Sequence, residues 1–546
     1  MLDVFPFASP RPGTEEALKQ IKAAFDSGKR FVLVDAPTGS GKSGIAVAFA
    51  RKYKSSIWTP TKFLQEQYAN TQEFTHEYTI KGKSNYSCGL QGQGDNTVDE
   101  AICCSAKIID ENRDLIPWPL TNDRKLLTRS LKNKCAETGT CPYYSKIARI
   151  PEVPGAIMNY DLGLRIKKNP KRENTGVNMG DSVVLDEAHQ LLSKINSVFG
   201  NKISNTAVMK LLGQEAKRGN GEEPLLWVNR LMTIAKERIE RESDSKKVSK
   251  LTMFERKMSG ILELDVENEK KFFIEDSGSE IEIKPLDFRY LKGQIFFPFK
   301  KILMLSATFP VNFTKVLGIS EEECAVVKIK STFSPSKRRS IFPSDIANMN
   351  SKTILTPDSD QVRMLDLILK AHPNDKGIVH SGNYKFFDQL KKIFRGNKRF
   401  IWVTQDHDKE EMFYKHVNSK QPTILVSPAM LEGVDLKDDL ARFGVLLKVP
   451  YPVLDEYTKR MNLIFPQWYE NLTITNVVQA YGRQVRSEND SAVFYILDGA
   501  FKMLLNRNRS LIPEYFTEAL KVGEAGRLVK VLHNKASKAL EDSKTE

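Results

Sequence analysis

The chain has 546 residues, 40% of them hydrophobic and 27% charged, and a formal net charge of +14. This predicts a soluble globular protein of about two to four domains. No run of about 18 apolar residues occurs, and Met1-Leu2-Asp3-Val4 does not begin a basic leader, which excludes a membrane-spanning helix and makes the cytoplasm, or another reducing compartment, the expected location. The basic excess suits plain solubility and a polyanionic partner equally, so charge alone does not choose between them.

Phe5-Pro6-Phe7 and Arg11-Pro12-Gly13 lead into an amphipathic helix predicted from about Glu15 to Phe25. Phe31 to Val34 is an apolar run suited to a buried parallel strand. It is followed by Ala36-Pro37-Thr38-Gly39-Ser40-Gly41, then Lys42 and Ser43, then the helical run Ile45 to Phe49. Strand, glycine-bearing loop and helix together aim backbone N–H groups and a helix N-terminus at one point, where polyphosphate is best held. Lys42 is then placed for the β- and γ-phosphates and the Ser43 hydroxyl for Mg²⁺. Ala36 stands where the usual pattern opens with Gly, and an ordinary strand-to-helix turn is the alternative for this stretch alone. Ser56-Ile57-Trp58 reads as the next strand, closed by Thr59-Pro60-Thr61-Lys62, with a helix beginning at Phe63 to Tyr68.

Lys81 to Ile150 breaks this α/β rhythm and holds Cys88, Cys103, Cys104, Cys135 and Cys141, five of the six cysteines. Compact zinc modules use short paired knuckles, whereas these separations are wide apart from Cys135 and Cys141. An iron–sulfur cluster takes four thiolates and accepts such spacings. A metal is expected, with iron and zinc both open from spacing, and only one of Cys103 and Cys104 is needed as a ligand. Lys81, Lys83, Lys132 and Lys134 make the segment basic, and Cys324, standing alone, reads as an unliganded thiol.

Asp181 to Leu185 is a further strand, ending in Asp186-Glu187-Ala188-His189. In a chain with a phosphate loop, Asp186 is suited to hold Mg²⁺ through water and Glu187 to take a proton from the attacking water. By itself the acidic pair could simply favour a helix N-terminus. Lys194 to about Glu280 is mostly helical in pattern, with Leu225 to Ile239 and Val248 to Leu264 as its helices. Ile302 to Leu305 is a strand ending in Ser306-Ala307-Thr308. Ser331 to Asp345, with Pro335, Pro343 and Lys337-Arg338-Arg339, reads as a linker.

A second α/β unit follows, with strands expected at 377–380, 400–403, 423–426, 444–448 and 493–497. Ser427 to Leu436 reads SPAMLEGVDL, a strand-end loop holding Glu432, Gly433 and Asp435. Gln479 to Arg486 reads QAYGRQVR, with Gln479, Arg483 and Arg486 on about one helix face. Alone, such arginines are a solvated face; facing a triphosphate across a cleft, they are arginine fingers. Lys535 to Glu546 reads as a polar, disordered tail.

The order APTGSGKS, DEAH, SAT, SPAMLEGVDL, QAYGRQVR resembles the superfamily 2 helicases, and more narrowly the XPD/DinG family of iron–sulfur helicases. The cysteine segment lies between phosphate loop and DEAH, framed by Lys83-Ser84-Asn85-Tyr86-Ser87-Cys88 and Cys141-Pro142-Tyr143-Tyr144; the helical insertion lies between DEAH and SAT. The resemblance implies an α/β fold of two RecA-like parallel-sheet motor domains, a small iron–sulfur domain and a helical Arch-like insertion. The first motor domain would comprise 1–80, 151–193 and 281–330, interrupted by the cysteine domain at 81–150 and the insertion at 194–280. A linker at 331–345, a second motor domain at 346–534 and the tail at 535–546 complete the chain.

The resemblance also implies ATP, Mg²⁺ and a 4Fe-4S cluster as cofactors, and 5′-to-3′ unwinding of DNA. Lys42, Asp186, Glu187, Gln479, Arg483 and Arg486 are the implied catalytic set. Pro37 to Ser43 with Gly433 and Asp435 would hold the nucleotide, Ser43 and Asp186 the Mg²⁺, and four of the five clustered cysteines the iron. Implied partners are single-stranded DNA and its junctions with duplex, in replication or repair, with the chain a monomer away from membranes. An ATP-driven translocase or nucleoprotein remodeller that leaves duplexes intact would carry the same motifs. A non-catalytic nucleic-acid-binding or redox-sensing protein with a decayed motor is disfavoured by the intact Lys42, Asp186, Glu187, Arg483 and Arg486. The chain departs from its relatives at Thr14, where they often place an adenine-reading Gln, while Ala36 replaces the first Gly of the general loop, a change the resembled family tolerates. No fused nuclease domain is expected ahead of the motor.

Overall fold

The computed structural model describes residues 1–70, 79–90, 96–153, 155–168, 179–264, 271–404, 409–428, 436, 438–482, 485 and 490–545. Two seven-stranded sheets carry the architecture. The first has the order Cys324–Lys328, Phe31–Asp35, Lys301–Ser306, Ser182–Asp186, Ser56–Thr59, Ile157–Asn159, Thr79–Ile80, with every neighbouring pair parallel. Its inner strands are mostly apolar because helices cover both faces. Phe31 and Leu33 belong to the core on one face, and Val32 and Val34 to the core on the other. Register pairs Asp35 with Ser306, and Asp186 with Leu305. The phosphate loop, the acidic pair and the Ser306-Ala307-Thr308 turn therefore leave the sheet at one carboxyl edge, where open parallel sheets bind ligands.

The second sheet is also parallel, in the order Phe400–Trp402, Ile424–Ser427, Gly377–His380, Phe443–Leu446, Ala492–Ile496, Arg338–Pro343, Leu520–Gly523. The five strands expected here are present, shifted by one or two residues at some ends. The expected linker is corrected: Arg338–Pro343 is a strand between Ala492–Ile496 and Leu520–Gly523. Its basic start hid a period-two pattern, with Arg338, Ser340 and Phe342 buried and Arg339 exposed. Arg338 tolerates burial because Glu518 pairs with it at 2.9 Å and the Phe333 carbonyl accepts from Nε at 2.9 Å.

One further expectation is corrected. Lys535 to Thr545 is not disordered: it continues the helix Ala525–Thr545, whose Leu528, Leu532 and Ala536 are buried at helical spacing. The insertion is mostly helical, as expected, with a small sheet added. Its long helices Pro224–Arg241 and Ser245–Leu262 are accompanied by an antiparallel sheet of Asn201–Ser204, Glu280–Pro285 and Phe272–Asp276. Glu280-Ile281-Glu282-Ile283 alternates strictly, and Ile281 and Ile283 are the buried pair. The cysteine segment is built from the helices Ala106–Glu111, Arg124–Glu137 and Pro142–Ala148, joined by irregular chain.

His416 gives the second domain a pH dependence. Its Nε2–H donates to the Leu440 carbonyl at 2.8 Å and its Nδ1 accepts from Thr423 Oγ1 at 2.9 Å, the pattern of a neutral ring. Burial lowers its pKa from 6.5 to about 4. Between these values the unfolded chain binds the extra proton, so stability is full above pH 6.5 and falls as the pH drops toward 4. We expect His416→Gln to lose much of that slope in urea melts across this range, about 3 kcal/mol in all. An unchanged slope would contradict it.

Candidate nucleotide site and cysteine cluster

Gly39 and Gly41 take φ of +80° and +92°, a left-handed backbone that glycine adopts without a Cβ penalty. Gly41 caps the helix Lys42–Tyr53, whose first N–H groups face the loop. Ala36 is not among the positive-φ residues, and its N–H donates to the Ser306 carbonyl at 2.9 Å, so this position does not call for glycine. Lys42 is buried, with Nζ donating to the Ala36 and Pro37 carbonyls at 2.9 and 3.3 Å. Ser40 Oγ donates to the Pro37 carbonyl at 2.7 Å. From the N-terminal segment, Thr14 Oγ1 donates to the Ser40 carbonyl at 3.0 Å, and the Arg11 guanidinium donates to the Gly39 carbonyl. Thr14 is thus engaged as a brace of the loop.

Asp186 is buried at the end of its strand, where Tyr68 Oη donates to Oδ2 at 2.9 Å and the Glu187 N–H to Oδ1 at 3.0 Å. Burial, and then the neighbouring Glu187 charge, raise the Asp186 carboxyl above the usual carboxylate range, while Lys42 opposes the rise. Tyr68 also neighbours Ser43, so this one phenol stands beside both residues expected at the Mg²⁺. Tyr160 Oη donates to the Asp186 carbonyl at 2.8 Å and fixes the strand end. Glu187 has φ of +49°, an uncommon conformation for a residue with a side chain. Its Oε2 lies 3.3 Å from His189 Nδ1, which is 3.0 Å from Ser306 Oγ. Lys42, Ser43, Asp186 and Glu187 are therefore brought together, and the third motif is wired to the acidic pair through His189. Residue spacing pointed to neither Tyr68 nor Tyr160. Each reads as ordinary core until the strand order is known.

The second domain closes over this edge. Gln479 lies on the helix Trp468–Tyr481, and its buried Nε2 has no hydrogen-bond partner among the described residues. Gly482 abuts the phosphate loop so closely that a Cβ there would lie 2.5 Å from Thr38 Oγ1. A narrow cleft runs between the sheets, lined by Pro37, Thr38, Arg338, Tyr481, Gly482 and Tyr515 among others. Cradle, lysine, carboxylates and an unpartnered amide suit a magnesium nucleoside triphosphate. Gly433, Asp435, Arg483 and Arg486 lie outside the described residues, as does Glu432.

Cys88, Cys103, Cys135 and Cys141 are buried in one hydrophobic cluster, and Cys104 is half-buried. The Cys141 N–H donates to the Cys135 carbonyl at 3.0 Å, and Cys141 Sγ accepts from the Tyr144 N–H at 3.5 Å. Burial raises the Cys135 thiol, and Cys141 and Cys88 add to the rise. Lys83 Nζ lies 5.7 Å from the ring centres of Tyr143 and Tyr144, bringing positive charge to the same pocket. Among the described residues no three His, Cys, Asp or Glu side chains form a group that could hold a metal ion as they stand. The donor chemistry nonetheless fits a sulfur-bound metal: these are soft thiol ligands beside basic side chains.

Comparison with known proteins gives a consistent family. The model for the res subunit of type III restriction enzymes matches residues 7–213, and that for a helicase C-terminal domain matches 365–519. The chain is 21% identical to the ATP-dependent DNA helicase XPD of Sulfolobus acidocaldarius, over 87% of this chain and 93% of that protein. It is also 21% identical to the ATP-dependent DNA helicase YoaA of Escherichia coli, over 91% and 92% respectively. Its fold is similar to a solved XPD helicase, with a TM-score of 0.61 at 15% identity, covering 95% of this chain and 100% of the other.

Proposed function

We propose that this chain, which belongs to the XPD/DinG-like superfamily 2 helicases, is an ATP-dependent DNA helicase that moves 5′ to 3′ on single-stranded DNA. The observation that carries the reading is the meeting of Lys42, Ser43, Asp186 and Glu187 at one sheet edge, against Gly482 of the second domain. ATP binds with its phosphates over the loop N–H groups and Lys42. Mg²⁺, held by Ser43 and Asp186, would neutralise charge on the phosphates. Glu187 takes the proton of the attacking water, with its carboxylate oriented by His189. Gln479 lies on the second domain, and motif order assigns Arg483 and Arg486 as arginine fingers and Gly433 and Asp435 as nucleotide contacts.

A 4Fe-4S cluster would be held by Cys88, Cys135, Cys141 and one of Cys103 and Cys104, and would tie the loops of its domain together. Thr61 and Lys62 begin the helix Lys62–Ala69 on the first domain, with Lys62 exposed. We assign them to DNA phosphate contacts, which read no base and give sequence-tolerant, salt-sensitive binding. Closing and reopening the cleft with each ATP would alternate the grip of the two domains on one strand. The chain acts as a monomer on single strands and duplex junctions, in replication or repair, in a reducing compartment with access to DNA. Strand displacement from tailed partial duplexes tests this. A 5′ tail should support ATP-dependent displacement and a 3′ tail should not. The opposite preference would overturn the polarity, and ATP turnover without displacement from either tail would favour a translocase.

A further inference from the structure

We infer that Tyr515 is a positioning residue for ATP turnover, carrying closure of the cleft from the second domain to Glu187 on the first; this rests on reading Glu187 as the base. Tyr515 lies outside every motif singled out in the sequence. It sits on the short helix Glu514–Thr517 of the second domain, and its Oη donates across the cleft to the Ala307 carbonyl at 3.3 Å.

The tyrosine is held from behind. Its carbonyl accepts from the Arg338 guanidinium, which also pairs with Glu518 and reaches Tyr481 Oη at 3.3 Å. Tyr481 Oη in turn donates to the Arg338 carbonyl at 2.6 Å, and the two tyrosine rings lie 6.4 Å apart at 31°. Tyr481 ends the helix that bears Gln479, and the next residue, Gly482, is the one against Thr38. The contact on the phosphate loop and the contact on Ala307 therefore belong to one rigid assembly. They form or part together.

On the first domain, Ala307 lies between Ser306 and Thr308. Ser306 Oγ has a single hydrogen, which it gives to the Thr308 carbonyl at 2.9 Å. The same Oγ lies 3.0 Å from His189 Nδ1, within hydrogen-bond reach. The same nitrogen faces Glu187 Oε2 at 3.3 Å. A shift of the Ala307 turn moves Ser306, reorients the imidazole and so changes the aim of the Glu187 carboxylate. Placement of a general base acts on the chemical step more than on nucleotide affinity.

The test is a kinetic double-mutant cycle on ATP hydrolysis in the presence of single-stranded DNA. Tyr515→Phe keeps the ring packing and removes only the hydroxyl. We expect kcat to fall about fivefold with KM for ATP within about twofold and the melting temperature unmoved, the size of one neutral hydrogen bond. Ser306→Ala should lower kcat on its own, and Tyr515→Phe should cost little more in its background, since both act along one path. Unchanged kcat in Tyr515→Phe, or fully additive losses in the double variant, would overturn the inference. If the wild type hydrolyses ATP equally with and without DNA, the helicase reading fails, while the same cycle on the unstimulated kcat still decides the role of Tyr515. A wild type with no ATP turnover would overturn both.

Discussion

Lys42→Ala is expected to lose both ATP binding and turnover, whereas Glu187→Gln should keep binding and lose turnover by on the order of 10² to 10⁴. The difference follows from where each charge sits. Lys42 is buried under the loop with its ammonium beside the Ala36 and Pro37 carbonyls, the one lysine placed by the motif to meet the phosphates. Removing it leaves the cradle without its cation. Glu187→Gln alters little in shape and can keep its place beside His189, but an amide is no base at neutral pH. Binding of a fluorescent nucleotide and release of phosphate, measured on the same preparations, separate the two effects. Normal turnover in Glu187→Gln would sink the assignment of the base.

Anaerobically purified protein is expected to be brown, with about four irons per chain, as four thiolates on a cubane cluster require. Cys88, Cys135 and Cys141 are the proposed ligands and are buried in one core, so Cys88→Ser, Cys135→Ser or Cys141→Ser should each abolish colour and iron. Of Cys103→Ser and Cys104→Ser, only one should do so. Part of the ATP turnover should survive, because the phosphate site is built on strands of the first sheet and not on this segment. Strand separation should fail. Iron by elemental analysis, the visible spectrum and ATP turnover are the readouts. Stoichiometric zinc in a colourless protein would contradict the iron assignment and favour a structural zinc site.

The parts of this architecture legible in the sequence are those where one local pattern carries the signal. Phe31 to Val34 and Val183 to Leu185 are continuous apolar runs, and each leads straight into its reactive loop, so both strands and their order in the site could be read directly. Arg338–Pro343 could not, because its burial depends on Glu518, which lies 180 residues away. The Glu280–Pro285 strand was hidden by a helical neighbourhood, although its own alternation is strict. The tail was read from charge alone, whereas Leu528, Leu532 and Ala536 bury one face of its helix. In the site, the loop and carboxylates follow from motif spacing. Tyr68, Tyr160 and Tyr515 do not: a tyrosine looks like core until the strand order sets its hydroxyl beside a carboxylate or a carbonyl. Gly433, Asp435, Arg483 and Arg486 lie outside the described residues, so their roles rest on motif order.

The central claim is that ATP turnover in this cleft is tied to a DNA strand. The rate of phosphate release by purified, anaerobically prepared protein, measured with and without single-stranded DNA, tests it most directly. We predict slow turnover without DNA, a rise of at least about tenfold with a single strand of mixed sequence, and loss of that rise at high salt as phosphate contacts are screened. A rate indifferent to DNA at every salt concentration would contradict the account.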